Sequence, residues 1–131
     1  MSFDTERLLV TGGPRTGKTT IAAEFGGVRA VPVRGTDSLI GAYDWSAASA
    51  VVAEWFDAPG PWIIEGVAVP RALRKWLAKH PTGKPADKVV WLEFPKVDRT
   101  PRQDSMARAV ETVWLQVQPH LVRRGVYIER F

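Results

Sequence analysis

Apolar and polar positions along the chain alternate between short, nearly continuous apolar runs and stretches with helical spacing. Leu8-Leu9-Val10, Trp62-Ile63-Ile64 and Val89-Val90-Trp91-Leu92 read as buried strands, apolar throughout as expected where both sheet faces are covered. Arg29 to Arg34 reads as a further short strand, in which Pro32 cannot donate a ladder hydrogen bond and so predicts an edge position. Val126-Tyr127-Ile128 reads as a fifth strand after the stop at Gly125.

Helical patterns lie between these runs. Thr19 to Phe25 opens one helix, and Ser46 is the expected N-cap of a second over about 47–57, stopped by Pro59-Gly60-Pro61. Pro70 opens a third helix, with Leu73, Trp76 and Leu77 on one face. The fourth is long, starts near Gln103, and carries Met106, Val110, Val113, Trp114 and Val117 on one stripe, with Pro119 expected to kink or end it. Strands alternating with helices predict right-handed βαβ units, a parallel sheet and ligands gathered at the carboxyl ends of the strands. The expected fold class is α/β, as one domain over 1–131.

The loop between the first strand and the first helix changes the picture from fold to chemistry. Gly12-Gly13-Pro14-Arg15-Thr16-Gly17-Lys18-Thr19 fits G-x-x-x-x-G-K-[ST], the phosphate-binding loop, in its strand–loop–helix setting. Glycines at 12 and 17 let successive N–H groups turn onto an anion, and the helix dipole aims at the same spot. Gly12 through Thr20 are therefore the expected nucleotide-binding residues. Lys18 is expected to reach the β and γ phosphates, and Thr19 to hold Mg²⁺. Arg15 places a long cation inside the loop, directed at the γ phosphate, at an acceptor or at solvent.

Other charged groups fall where the parallel sheet predicts a site. Glu65 ends the apolar third strand, where a carboxylate can hold Mg²⁺, or orient or deprotonate an acceptor. Asp37 follows the second strand and suits a base for a substrate hydroxyl, or a second carboxylate beside the metal. Arg71, Arg99, Arg102 and Arg108 are candidate anion clamps, since phosphoryl transfer depends mostly on positioning and charge neutralisation. Arg102 and Arg108 are six residues apart, so they can act together only if Arg102 lies in a loop. Trp62, Trp76, Trp91 and Trp114 read as core, whereas Tyr43 and Trp45 lie where an aromatic ring can stack on a flat substrate.

Composition narrows the class. The chain has no cysteine, and His80 and His120 fall in no ligand motif, which speaks against a disulfide framework or a structural zinc. No apolar run approaches a membrane span and Met1 to Val10 lacks a leader pattern, so the expectation is a soluble cytoplasmic protein without a membrane partner. The net charge is +4, but residues 1–65 carry a net of −3 and residues 66–131 a net of +7. Positive charge thus gathers downstream of the phosphate loop, as an anionic substrate grip, a solvated face or a nucleic-acid footprint.

Taken together, the loop, the Trp62-Ile63-Ile64-Glu65-Gly66 stretch with Pro70-Arg71, and the arginine-bearing segment after the fourth strand resemble the P-loop kinase superfamily, which includes nucleoside monophosphate, shikimate-type and polynucleotide kinases. Glu65 stands where Asp is more usual, and three residues separate Gly66 from Pro70. The resemblance implies a three-layer α/β/α fold with a five-stranded parallel sheet in the order 2-3-1-4-5, and a short lid at about 96–108. It implies ATP as donor, Mg²⁺, and transfer of the γ-phosphate to a small acceptor, a nucleotide, a nucleoside or another hydroxyl compound. By position, the resemblance gives Lys18 and Thr19 to the phosphates and Mg²⁺, Glu65 to the metal or acceptor, Arg71 to the acceptor, and Arg99, Arg102 or Arg108 to the lid. With Asp37, read from its place after the second strand, the expected catalytic residues are Lys18, Glu65, Asp37 and Arg102, the metal ligands Thr19 and Glu65, and the acceptor-binding residues Asp37, Arg71, Arg99 and Arg108. An ATP-hydrolysing module acting on a protein partner and a nucleic-acid 5′-end kinase are the competing readings.

Overall fold

A computed structural model describes residues 6–40 and 43–131. The reading of Met1 to Val10 as free of a leader pattern rests in part on residues 1–5, which lie outside the described residues. Five strands form one sheet: β1 (Arg7–Gly12), β2 (Val33–Gly35), β3 (Trp62–Glu65), β4 (Lys88–Leu92) and β5 (Tyr127–Arg130). Every pairing is parallel and the order is β2-β3-β1-β4-β5, as expected, with β2 at an edge. Four helices connect them: α1 (Lys18–Arg29), α2 (Trp45–Trp55), α3 (Val69–Lys79) and α4 (Pro101–Arg123).

The alternation along each strand divides the core into two layers. Leu9, Ile64, Val89 and Trp91 face one side, where they pack with Val52, Leu73, Val110 and Trp114 of α2, α3 and α4. Leu8, Val10, Ile63 and Val90 face the other, against Ala22 of α1. Trp91 and Trp114 stack with ring centroids 4.9 Å apart, which pins α4 across β4. Trp76, Trp91 and Trp114 are buried as expected, while Trp62 is half-buried at the margin of the core.

Four local expectations need correction. α1 runs on to Arg29 and ends with Ala30 in the left-handed region, so the second strand is shorter than 29–34 and begins at Val33. Asp44, not Ser46, caps α2, because its carboxylate accepts from the Ala47 N–H at 2.7 Å; the Ser46 hydroxyl instead accepts from Lys75 Nζ. α4 starts at Pro101, two residues early, because Thr100 and Gln103 form a reciprocal capping box. Pro119 does not end it. That residue lies on the exposed side, where water can take up the carbonyl it leaves without a partner.

Candidate active site at the phosphate loop

β1 delivers the chain to Gly12 and α1 takes it up at Lys18, so the loop spans the carboxyl end of a central strand. A side chain at Gly12 would begin 2.5 Å from the Leu92 carbonyl oxygen, which is why that position tolerates only hydrogen as β4 passes. Gly17 takes φ 86° and acts as the N-cap of α1. Thr16 Oγ1 and Lys18 Nζ both donate to the Gly13 carbonyl, at 2.9 and 2.7 Å, closing the loop on itself. The N–H groups of Lys18, Thr19 and Thr20 fall in the first turn of α1, where no carbonyl of the helix can accept from them. These donors, with the N-terminus of α1, are the elements of an anion nest.

The carboxylates stand at the neighbouring strand ends. Glu65 is the last residue of β3, and its Oε1 accepts from Thr19 Oγ1 at 3.4 Å. Its other oxygen, Oε2, is buried with no partner, in a side chain only 5% exposed. Burial pushes the Glu65 carboxyl above its ordinary value and the nearby Asp37 charge adds to this, opposed by Lys18 and by the Thr19 hydrogen bond. Burial likewise pulls the Lys18 ammonium down, opposed by Asp37 and Glu65 and helped by Arg99. Asp37 opens a short 3₁₀ turn, Asp37–Leu39, directly after β2. Asp37 is thus close enough to Lys18 and Glu65 for its charge to act on both, in a partly dehydrated setting.

The residues also suit Mg²⁺. A buried carboxylate oxygen without a partner, beside the hydroxyl that follows the loop lysine, is the oxygen chemistry that a hard divalent ion takes. Among the described residues no group of three or more histidine, cysteine, aspartate or glutamate side chains gathers.

The four candidate arginines separate. Arg99, in the segment between β4 and α4, donates from Nε to the Pro14 carbonyl at 2.8 Å. Arg71 of α3 and Arg102 of α4 line one cavity of about 240 Å³ together with Trp45 and Met106, and the Arg71 guanidinium lies 5.0 Å from the Trp45 ring. Arg102 sits in the first turn of α4 rather than in a loop, so it and Arg108 face different ways. The structure does not bring Arg108 into the site; it is exposed and donates to Ser105. Arg15 takes φ 62° and points outward, with Nε donating to Gln103 Oε1 at 3.2 Å.

Two further residues shape the site. Gln103 ties α4 to Arg15, and Thr36, buried, donates its N–H to the Glu65 carbonyl at 2.8 Å, fixing the end of β2 against that of β3. Neither was singled out in the sequence. The Thr-x-x-Gln spacing of a capping box signals Gln103 in retrospect, whereas nothing local signals Thr36.

No protein-family model matches the sequence, and no curated protein matches it significantly. Solved structures do. The shikimate kinase from Bacteroides thetaiotaomicron is similar with a TM-score of 0.50 and 17% identity, over 95% of this chain and 85% of that one. The shikimate kinase from Acinetobacter baumannii, solved in complex with shikimate, is similar with a TM-score of 0.53 and 12% identity, over 97% of this chain and 83% of that one. With its strand order and its loop between β1 and α1, the chain has the fold of the P-loop kinase superfamily.

Proposed function

We propose that the protein is a phosphotransferase that uses Mg²⁺ and moves the γ-phosphate of ATP to a hydroxyl acceptor. The observation that carries this reading is the grouping of Lys18, Glu65 and Asp37 at the loop, with the cavity of Arg71, Arg102 and Trp45 formed by the neighbouring helices. The fold shared with two shikimate kinases supports it.

The loop N–H groups bind the triphosphate, and Lys18 leaves the Gly13 carbonyl for the β and γ phosphates. Thr19 and Glu65 would hold Mg²⁺, and the ion would supply positive charge against that of the phosphate oxygens. Asp37 accepts the proton of the acceptor hydroxyl as its oxygen forms a bond to the γ phosphorus. The bond from that phosphorus to the β–γ bridging oxygen breaks, and ADP leaves with its charge met by Lys18. Arg71 and Arg102 hold an anionic part of the acceptor, and Arg99 fixes the loop.

The test is transfer from γ-labelled ATP to a panel of hydroxyl and phosphate acceptors. Label should pass to a hydroxyl acceptor, and Asp37→Asn should slow that transfer at least tenfold, on the order of a general base's contribution, with little change in ATP affinity. Tight ATP binding with no labelled acceptor would sink the proposal.

A further inference from the structure

The seam between α3 and α4 carries positive charge well beyond the acceptor cavity. A second cavity of about 450 Å³ lies further along the same two helices, lined by Arg74, Leu77, Gln116, Val117, His120 and Arg124. Arg71 of the first cavity and Arg74 of the second are one helical turn apart on α3. No aspartate or glutamate lines either cavity. Among the described residues none of Arg71, Arg74, Arg102 and Arg124 has a carboxylate partner, whereas Arg7, Arg29 and Arg130 each have one. Elsewhere on α4 the sign differs: the cavity against β4 and β5 is lined by Glu93 and Glu111 as well as Arg130.

The guanidinium groups of the second cavity are held in place by neutral oxygens. Arg74 donates to Gln116 Oε1 and Arg124 to the Gly83 carbonyl, each at 3.1 Å. Each has further N–H donors in its fork for an anion. The floor is apolar, from Leu77 and Val117, and the seam ends at the half-buried Trp45 ring beside Arg71. A row of arginines leading to an aromatic platform is the chemistry that binds a single nucleic-acid strand, phosphates on the cations and a base on the ring. Packed helices lie about 8–10 Å apart, so the seam between them is too narrow to seat a duplex.

We infer that the α3–α4 seam is a binding track for single-stranded nucleic acid, running from Arg124 to the cavity of Arg71, Arg102 and Trp45. The inference rests on the proposed function in one respect, that this cavity is the acceptor end; the strand's terminal hydroxyl is then the group presented to Asp37.

Fluorescence anisotropy of a labelled ten-nucleotide single strand, without ATP, tests the track separately from phosphotransfer. With four phosphate contacts, raising salt from 50 to 200 mM should weaken binding about 50-fold. Replacing Arg74 and Arg124 by Ala leaves two contacts, and the same change should weaken binding only about 7-fold. Circular-dichroism melting verifies that the variant is folded, and its ATP affinity should match the parent's. Arg74→Gln, which removes the charge and keeps a polar side chain at an exposed position, should lower the salt dependence by one contact and serves if the double variant does not fold. No binding at 50 mM salt, an unchanged salt dependence in a folded variant, or equal affinity for a duplex of the same length would each overturn the inference. Absence of phosphotransfer with binding intact would instead remove the proposed function and leave the track.

Discussion

Arg99 donates from Nε to the Pro14 carbonyl at 2.8 Å, so the segment after β4 is fastened to the phosphate loop by a side chain. The Lys96 N–H reinforces the contact by donating to the Arg15 carbonyl at 2.7 Å. Arg99 therefore has a fixed place beside the phosphate loop, whereas Arg108, on the same stretch of sequence, has none. Arg99→Ala should weaken ATP binding about tenfold, the equivalent of one charge-assisted hydrogen bond of about 1.4 kcal/mol. Arg108→Ala should leave it within about twofold. Isothermal titration of the two variants checks the pair.

Lys18 is 7% exposed and its ammonium rests on the Gly13 carbonyl. Lys18→Ala removes the cation assigned to the β and γ phosphates while leaving the strand and helix on either side intact. Turnover should fall at least ~10³-fold, as for other losses of aligned charge in phosphoryl transfer. The melting temperature should stay within about 3 °C of the parent's. Substantial turnover by the variant would refute the role given to the loop.

Stability should depend on pH through Glu65 and Lys18 in opposite senses. The folded Glu65 carboxyl titrates above its ordinary value, because of burial first and Asp37 second. Below the ordinary glutamate value, folded and unfolded chains both carry the proton. Between that value and the raised one, only the folded chain does. Stability therefore falls as pH rises through this interval and remains lower above it. Lys18, pulled down chiefly by burial, has the reverse sign near the alkaline end: stability rises from its lowered value to the ordinary lysine value. Glu65→Gln should flatten the acid-side dependence and raise the neutral-pH melting temperature by about 3–6 °C, as relief of about 1 kcal/mol from a buried negative charge would. It should cut turnover in the same step. Melting curves from pH 4 to 8 on both proteins decide this.

Two glycines should respond oppositely to alanine. Gly66 has φ 143°, and a Cβ there would lie 1.8 Å from Thr36 Oγ1, in the joint between the ends of β2 and β3. Gly66→Ala should cost about 3 kcal/mol or more, from strain and overpacking together. Gly27, within α1, has nothing beyond its chain neighbours and its own helix backbone within 4 Å of such a Cβ. Gly27→Ala should stabilise the protein by about 0.5–1 kcal/mol through helix propensity. Urea titrations give both values.

Much of this was legible in the chain because its signals are local. The loop motif and the apolar strands placed β1, α1 and the central strands; β2 is at the edge as expected, although Pro32, the reason for expecting it, precedes the strand. Helix ends were less legible, because Asp44 and Ser46 are both competent caps and only the fold decides which N–H lies within reach. The arginines were least legible. Arg71 and Arg102 meet because α3 and α4 pack together, and Arg108 departs because α4 begins at Pro101, which turns that residue to the outside. Glu65 and Asp37 could be placed at strand ends, but the orphaned oxygen of Glu65 depends on how β2 and β3 close around it.

Gln103 Oε1 accepts both from the Thr100 N–H, at 2.9 Å, and from Arg15 Nε. One oxygen thus terminates a helix and restrains the phosphate loop. If Arg15 turns towards a bound triphosphate, it releases its share of that oxygen, and the first turn of α4, which carries Arg102, feels the change. Occupancy of the phosphate loop would in this way be transmitted to the helix turn that carries Arg102 through a single amide group.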